Sequence, residues 1–457
     1  MTRFVAIAIG GALLGLLVYA VLGPALARGP GTERGCPERP RLNHRCSKPM
    51  DARAFVDTIG VNTHLWYFHT SYSNYAMTKR RLRELGIRHV RDGLDPEHRQ
   101  EFFDRVNDLG AAGIKSTLIA CRVEPVGVRW TTYVKDAKKK VRSSLDALEG
   151  VNEPDLVAAG RADWPRSART CQREIYRQAK GSTFGAPLRV PVVGPSIVGL
   201  STSEGNTPLG RISDRADGAT IHSYSGGRPP SSRDYITFTS QMAAARKHQF
   251  GGARAPVYAT ETGYHDALNT KGIHAPVSPR AASIYMPRLF LEYARAGVER
   301  TFLYELVDEH HEPTLSDVEL NYGLFESDWS YKPSAVALKN TIALLDSPRK
   351  GPRRPLRYSV ANTADADGTG PRGAVKHMLL QKANGSYWLA LWQNSKVWDE
   401  NARMDIANPS TQVRVRLDRR MRLASYHPTQ GMTASNRRTT RDFRIKVGDD
   451  VLLIKMS

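Results

Sequence analysis

From residue 55 onward, short apolar runs alternate with longer stretches whose apolar positions recur at helical spacing. This rhythm predicts parallel βα units, because parallel strands covered on both faces read as near-continuous apolar runs. Strands are expected at Thr58–Thr63, Ile87–Asp92, Ile114–Ala120, Ala147–Asn152, Val190–Gly194, Gly218–His222, Pro256–Thr260 and Arg300–Leu306. Helices fall between them: Thr78–Leu85 stops at Gly86, Pro279–Ala296 stops at Gly297, and Pro333–Leu345 would be the last. Eight such units over residues 55–346 predict an α/β fold, a complete (β/α)8 barrel of the TIM type.

The pattern then changes. Residues 347–356, with Pro348, Gly351, Pro352 and Pro355, read as a linker. Residues 357–457 alternate apolar and polar positions. His377–Lys382 and Tyr387–Trp392 flank Asn384-Gly385, a hairpin turn. Further strands are expected at Thr411–Leu417, Arg422–Tyr426, Asp442–Val447 and Val451–Lys455, giving a small antiparallel β-sandwich domain after the barrel.

At the other end, Arg3 precedes an uncharged apolar run, Phe4–Gly23, and Ala25-Leu26-Ala27 reads as a small-x-small cleavage site. Residues 1–27 are therefore expected to be a signal peptide or, if uncleaved, a membrane anchor. Either way the body is exported: secreted or associated with the cell envelope. Residues 28–54 form an arm rich in Pro and Arg. The chain holds four cysteines: Cys36, Cys46, Cys121 and Cys171. An even count in an exported chain suggests disulfides; Cys36–Cys46 with Cys121–Cys171 is the favoured pairing, and separate buried thiols at Cys121 and Cys171 are the alternative.

The 457 residues carry 66 Lys+Arg against 45 Asp+Glu, a net charge of +21, and 40% are hydrophobic. That apolar content supports a large core. The excess charge suits an anionic cell wall or an acidic glycan, or simply a solvated basic surface. The aromatic and basic interleaving of nucleic-acid modules is absent, as is any zinc spacing, so neither a nucleic-acid partner nor a bound metal or cofactor is expected.

Barrel chemistry sits at the C-terminal ends of strands. The fourth predicted strand runs into Asn152-Glu153-Pro154, and the seventh into Thr260-Glu261-Thr262. Two carboxyl groups facing each other across a barrel mouth are what glycoside hydrolysis requires. One protonates the leaving oxygen, and the other attacks the anomeric carbon or activates water. The helix-dipole role of an acid before Pro154, and pairing of Glu261 with a barrel arginine, are the structural alternatives. His64 and Trp66, beyond the first strand, are candidate glycan contacts, since aromatic faces stack on sugar C–H surfaces. The segment Asp308–Glu312 has ligand-type residues without a zinc spacing and reads as a loop over the mouth.

These motifs, in this order, resemble the clan A glycoside hydrolases, including families five, thirty-nine and seventy-nine; the resemblance spans residues 58 to about 345. It implies a retaining enzyme that acts on carbohydrate, with Glu153 as acid/base and Glu261 as nucleophile. It assigns Asn152 to the sugar 2-hydroxyl. Arg91, at the end of Arg88-His89-Val90-Arg91, would sit beside the nucleophile. In His222-Ser223-Tyr224 the tyrosine would bind the nucleophile and the histidine would line the sugar site. The chain departs from the pattern after strand eight, where a tryptophan often floors the sugar. Here Tyr304 stands in for that platform or the subsite differs, and Glu305 either contacts sugar hydroxyls or pairs with Arg300. The competing class is a non-catalytic glycan-binding or envelope-associated barrel.

Overall fold

The computed structural model describes residues 45–124, 127–129, 131–157, 163–200, 209–232, 237–252, 254–272, 274–362 and 374–457. The expected leader, most of the arm and the Cys36–Cys46 pairing lie outside the described residues and side chains.

The eight barrel strands are β1 (Ile59–Asn62), β2 (His89–Gly93), β3 (Lys115–Glu124), β4 (Leu145–Val151), β5 (Val192–Val193), β6 (Ala219–His222), β7 (Val257–Thr262) and β8 (Arg300–Leu303). Each coincides with an expected apolar run. They are parallel and hydrogen-bonded in the order β5-β4-β3-β2-β1-β8-β7-β6. A bridge between Val193 and Gly218, with the Gly194 amide donating to Gly218 O at 2.9 Å, closes the ring. Every residue of β1, β6 and β7 is buried, which is why these strands carry no polar alternation.

Local chemistry sets the helix ends. Helix Pro279–Ala296 starts at Ser278, whose side chain accepts from the Ala281 amide at 3.0 Å, and ends at Gly297 with φ 81°. Helix Tyr75–Leu85 starts at Asn74 and ends at Gly86, φ 77°. Cys121 on β3 is disulfide-bonded to Cys171 on helix Trp164–Lys180, with Cα atoms 6.4 Å apart, which resolves that pairing.

The C-terminal strands are β9 (Leu356–Val360), β10 (Val375–Gln381), β11 (Tyr387–Gln393), β12 (Thr411–Tyr426), β13 (Ser435–Val447) and β14 (Leu452–Met456). They form one sheet in the order β9-β12-β14-β11-β10, with β13 on the other edge of β12. Val413, Val415, Leu389, Leu391 and Ile454 share one core on its inner face. Trp388, Trp392 and Leu453 point the other way, into the barrel's core. The two units are locked by buried polar contacts: Glu292 accepts from Lys376 Nζ at 2.7 Å and Trp392 Nε1 at 3.0 Å.

Three details differ from expectation. Thr411–Leu417 and Arg422–Tyr426 are one strand, β12, because backbone pairing with β13 carries on past a register shift at Arg416–Met421. Leu356, the last residue of the expected linker, belongs to β9. The end of the expected arm supplies the two outer strands of the C-terminal sheet. Arg45–Ser47 pairs with β9 and Met50–Asp51 with β10, so backbone hydrogen bonds hold a stretch too short and polar to read as strand.

Candidate active site

The barrel mouth encloses a cavity of about 780 Å³, within the size range of small-molecule sites. Arg91, at the C-terminal end of β2, organises its floor. This guanidinium is 3% exposed and donates to Glu149 Oε2 (2.6 Å) and Oε1 (2.9 Å), Glu261 Oε1 (2.7 Å), Asn62 Oδ1 (3.0 Å) and Asn152 Oδ1 (2.6 Å). Burial alone would lower its pKa, but the charges of Glu149 and Glu261 reverse this and raise it. Arg91 is thus a fixed positive charge against Glu261, as the resemblance implied.

Glu261 ends β7. Its other oxygen, Oε2, accepts from the Tyr224 hydroxyl at 2.9 Å. Burial, then Glu261, hold the Tyr224 pKa well above 10, so the phenol stays a donor. Asn152 Oδ1 is occupied by Arg91 and by Ser196 Oγ at 3.4 Å, leaving its amide nitrogen for a ligand.

Glu153 follows β4 with φ 42°, a left-handed conformation that costs a non-glycine residue on the order of 1 kcal/mol or more. Two hydrogen bonds hold it there: its amide donates to Ser196 O (3.0 Å) and its carbonyl accepts from the Leu156 amide (3.1 Å). The side chain reaches His222 Nδ1, 2.7 Å from Oε1, and His222 Nε2 lies 3.1 Å from Thr260 Oγ1. Burial raises the Glu153 pKa, but the bond to His222 and the charges of His222, Arg91 and His274 outweigh it, and the net shift is downward. Burial pulls His222 down while Glu261 and Glu153 push it up, for a net rise. Both directions favour the histidine over the carboxylate as the holder of the proton between them. The ligand-type atoms of Glu153, His222 and Glu261 all lie within 4.8 Å of one another, so a carboxylate oxygen of Glu153 faces one of Glu261 at no more than that distance.

His64, Trp66 and Tyr304 line the cavity. Burial lowers the His64 pKa to about 4, so its ring is neutral near pH 7. Tyr304 packs edge-on against His64 (5.7 Å between ring centres) and Tyr322 (5.4 Å), forming an aromatic wall. Glu305 meets neither expectation. It is fully buried behind the wall, accepts from the Tyr72 hydroxyl at 2.8 Å, and does not line the cavity. Arg300 pairs with Asp146 instead. Burial, then the nearby Glu309, raise the Glu305 pKa well above 4.5. A second set of ligand-type atoms, on His64, Glu305 and Glu309, also lies within 4.8 Å. In the loop that follows, Asp308 is tied to Lys332 at 2.8 Å and to the Gly323 amide at 2.7 Å.

Sequence reasoning passed over Glu149, Asn62, Tyr72, Glu319 and Tyr322. Glu149 had a readable signal, since a carboxylate inside a buried parallel strand must have a cation opposite it. Glu319, on the short helix Glu319–Asn321, faces the cavity, and burial with the charges of Glu261 and Glu153 raises its pKa. Nothing in its local sequence marks it.

No protein-family model and no curated protein matches the chain. Solved structures do match in fold. A family 39 glycoside hydrolase from Bacteroides cellulosilyticus WH2 is 16% identical over 89% of this chain and 82% of its own, with a TM-score of 0.59. A glucosidase from Croceicoccus marinus is 11% identical over 90% and 98%, at 0.55. A monomeric β-xylosidase from Caulobacter crescentus CB15 is 13% identical over 90% and 98%, at 0.53. The shared architecture covers both the barrel and the β-rich C-terminal unit.

Proposed function

We propose that this chain is a retaining glycoside hydrolase that cleaves O-glycosidic bonds by double displacement. The observation that carries this reading is the facing pair, Glu153 and Glu261, with carboxylate oxygens within 4.8 Å across one cavity. Carboxyl groups roughly 5 Å apart leave no room for a water between them and the sugar, which favours direct attack.

Glu261, clamped by Arg91 and Tyr224, attacks the anomeric carbon as the bond to the leaving oxygen breaks. Glu153 gives that oxygen a proton. This proton comes from His222 Nδ1 and crosses 2.7 Å to Glu153 Oε1 as the sugar binds. His222 is left neutral, with Nε2 facing Thr260 Oγ1. In the second half, Glu153 takes a proton from water, the hydroxide oxygen bonds to the anomeric carbon, and the ester to Glu261 breaks.

The substrate is a carbohydrate whose sugar at the cleavage point is uncharged. Three carboxyl groups, Glu153, Glu261 and Glu319, line the cavity and would oppose an anionic ring. The names of two structural neighbours, a xylosidase and a glucosidase, agree with a neutral sugar. Export, secreted or anchored by residues 4–23, is supported by the apolar N-terminal run and the Cys121–Cys171 disulfide.

The test is a pair of variants on an aryl glycoside panel. Glu153→Ala should keep substantial activity on activated aryl leaving groups and gain from added azide, yielding a glycosyl azide of retained configuration. Glu261→Ala should be inactive and give only the inverted azide product. Full activity of Glu261→Ala would overturn Glu261 as the nucleophile, and no hydrolysis by the parent across the panel would instead point to a barrel that binds glycan without cleaving it.

A further inference from the structure

Residues 411–447 contain ten Lys+Arg and two Asp+Glu, a net +8 of the chain's +21 within 37 residues. The fold concentrates this charge. On β12 the odd positions from Val413 to Ser425 are buried except Arg419, which is exposed with its neighbours Asp418 and Arg420, so the even positions form the outer face. On paired β13, Phe443 and Val447 are buried and Ile445 is half-buried against the same core, while Asp442, Arg444 and Lys446 are exposed. Register sets Arg414 opposite Arg444, Gln412 opposite Lys446 and Arg416 opposite Asp442; Arg420 and Arg422 continue the row. Asp442 is the acid of this paired region, 2.5 Å from Arg414 and 3.4 Å from Arg416, and Asp418 is held by Arg419 at 3.3 Å. Among the described residues, Arg420, Arg422, Arg444 and Lys446 have no acidic partner.

Two like charges set directly across a strand pair destabilise a sheet. Protection of an exposed edge would explain charges on β13, which pairs with β12 alone, but not the matching cations on the interior strand β12. We infer that this outer face of the C-terminal domain is a binding surface for an acidic polysaccharide. It tethers the chain to an anionic glycan while the acidic barrel cavity handles a separate, neutral sugar. Charge complementarity and the linear row of cations fit a carboxylate-bearing polymer chain. The outward positions of β12 from Gln412 to Ala424 include no aromatic side chain on which nucleic-acid bases could stack. They also offer no large apolar group to enter a lipid surface. No residue of the face lines the cavity, so its test reads binding and does not depend on the hydrolase reading.

The experiment is affinity electrophoresis of the full chain in gels containing polygalacturonate or neutral dextran, over a salt series. The variant R420Q/R422Q/R444Q/K446Q is compared with R83Q/K135Q/K139Q/R142Q, which removes the same charge from exposed barrel positions. The parent and barrel variant should be retarded by polygalacturonate and not by dextran. The face variant should lose on the order of tenfold or more of this affinity, with a shallower salt dependence. R420K/R422K/R444K, which keeps the charge, should bind like the parent. Equal loss in the barrel variant, undiminished retardation of the face variant, or no retardation of the parent would each overturn the inference. So would face-dependent binding that is tighter to duplex DNA, or to anionic over zwitterionic vesicles, than to polygalacturonate at equal salt.

Discussion

Replacing Arg91 by Met should be the most damaging single change in the barrel. Methionine keeps an unbranched stem but lacks the guanidinium, so five hydrogen bonds to four side chains disappear. Glu149 is 0% exposed and both its oxygens bond to Arg91; it would be left charged and buried without a partner. Removing one member of a buried pair costs about 3–5 kcal/mol. Much of that cost is the stranded carboxylate itself, so Arg91→Met/Glu149→Gln should recover roughly 2 kcal/mol. It should recover no activity, because Glu261 still lacks its cation. Urea unfolding of the parent, both single variants and the double variant, read at constant m-value, closes the cycle. A loss below about 1 kcal/mol in Arg91→Met, or a double variant no more stable than that single one, would refute the network as described.

Two further outcomes follow. His222→Gln removes the group that stores the acid proton, so kcat/KM on glycosides with poor leaving groups should fall about a hundredfold, and much less on activated ones. The parent's activity should decline as pH rises through the upshifted His222 pKa, above 6.5, and this alkaline limb should move in the variant; an unmoved limb would exclude His222 as the proton store. Opening the 50-residue loop with Cys121→Ala/Cys171→Ala should cost about 4 kcal/mol and lower Tm by about 5 °C, as should reducing the parent; a shift under 1 °C would contradict a stabilising bridge.

The barrel was legible because its strands are buried on both faces and read as apolar runs, while Ser278, Gly86 and Gly297 punctuate its helices. Where backbone pairing acts without an apolar signature, the reading failed. Arg45–Ser47 joins a sheet through hydrogen bonds to a strand some 310 residues away, and polar Asp418–Arg420 interrupts the pattern of β12 without ending it. In the site, Glu153, Glu261, Arg91 and Tyr224 meet because strand ends converge on one rim. Glu305 lies next to Tyr304 in sequence, yet one lines the cavity and the other sits behind it. That distinction depends on which way the chain turns after β8, which no local pattern encodes. Glu149 was readable in principle, as a charge inside a strand that has no exposed face.

Double displacement depends on the two facing carboxyl groups, and the stereochemistry of the first product tests it most directly. Proton NMR of an aryl glycoside digest, followed before mutarotation sets in, should show the released sugar first appearing with the anomeric configuration of the substrate. First appearance of the opposite anomer would contradict the paired-glutamate mechanism.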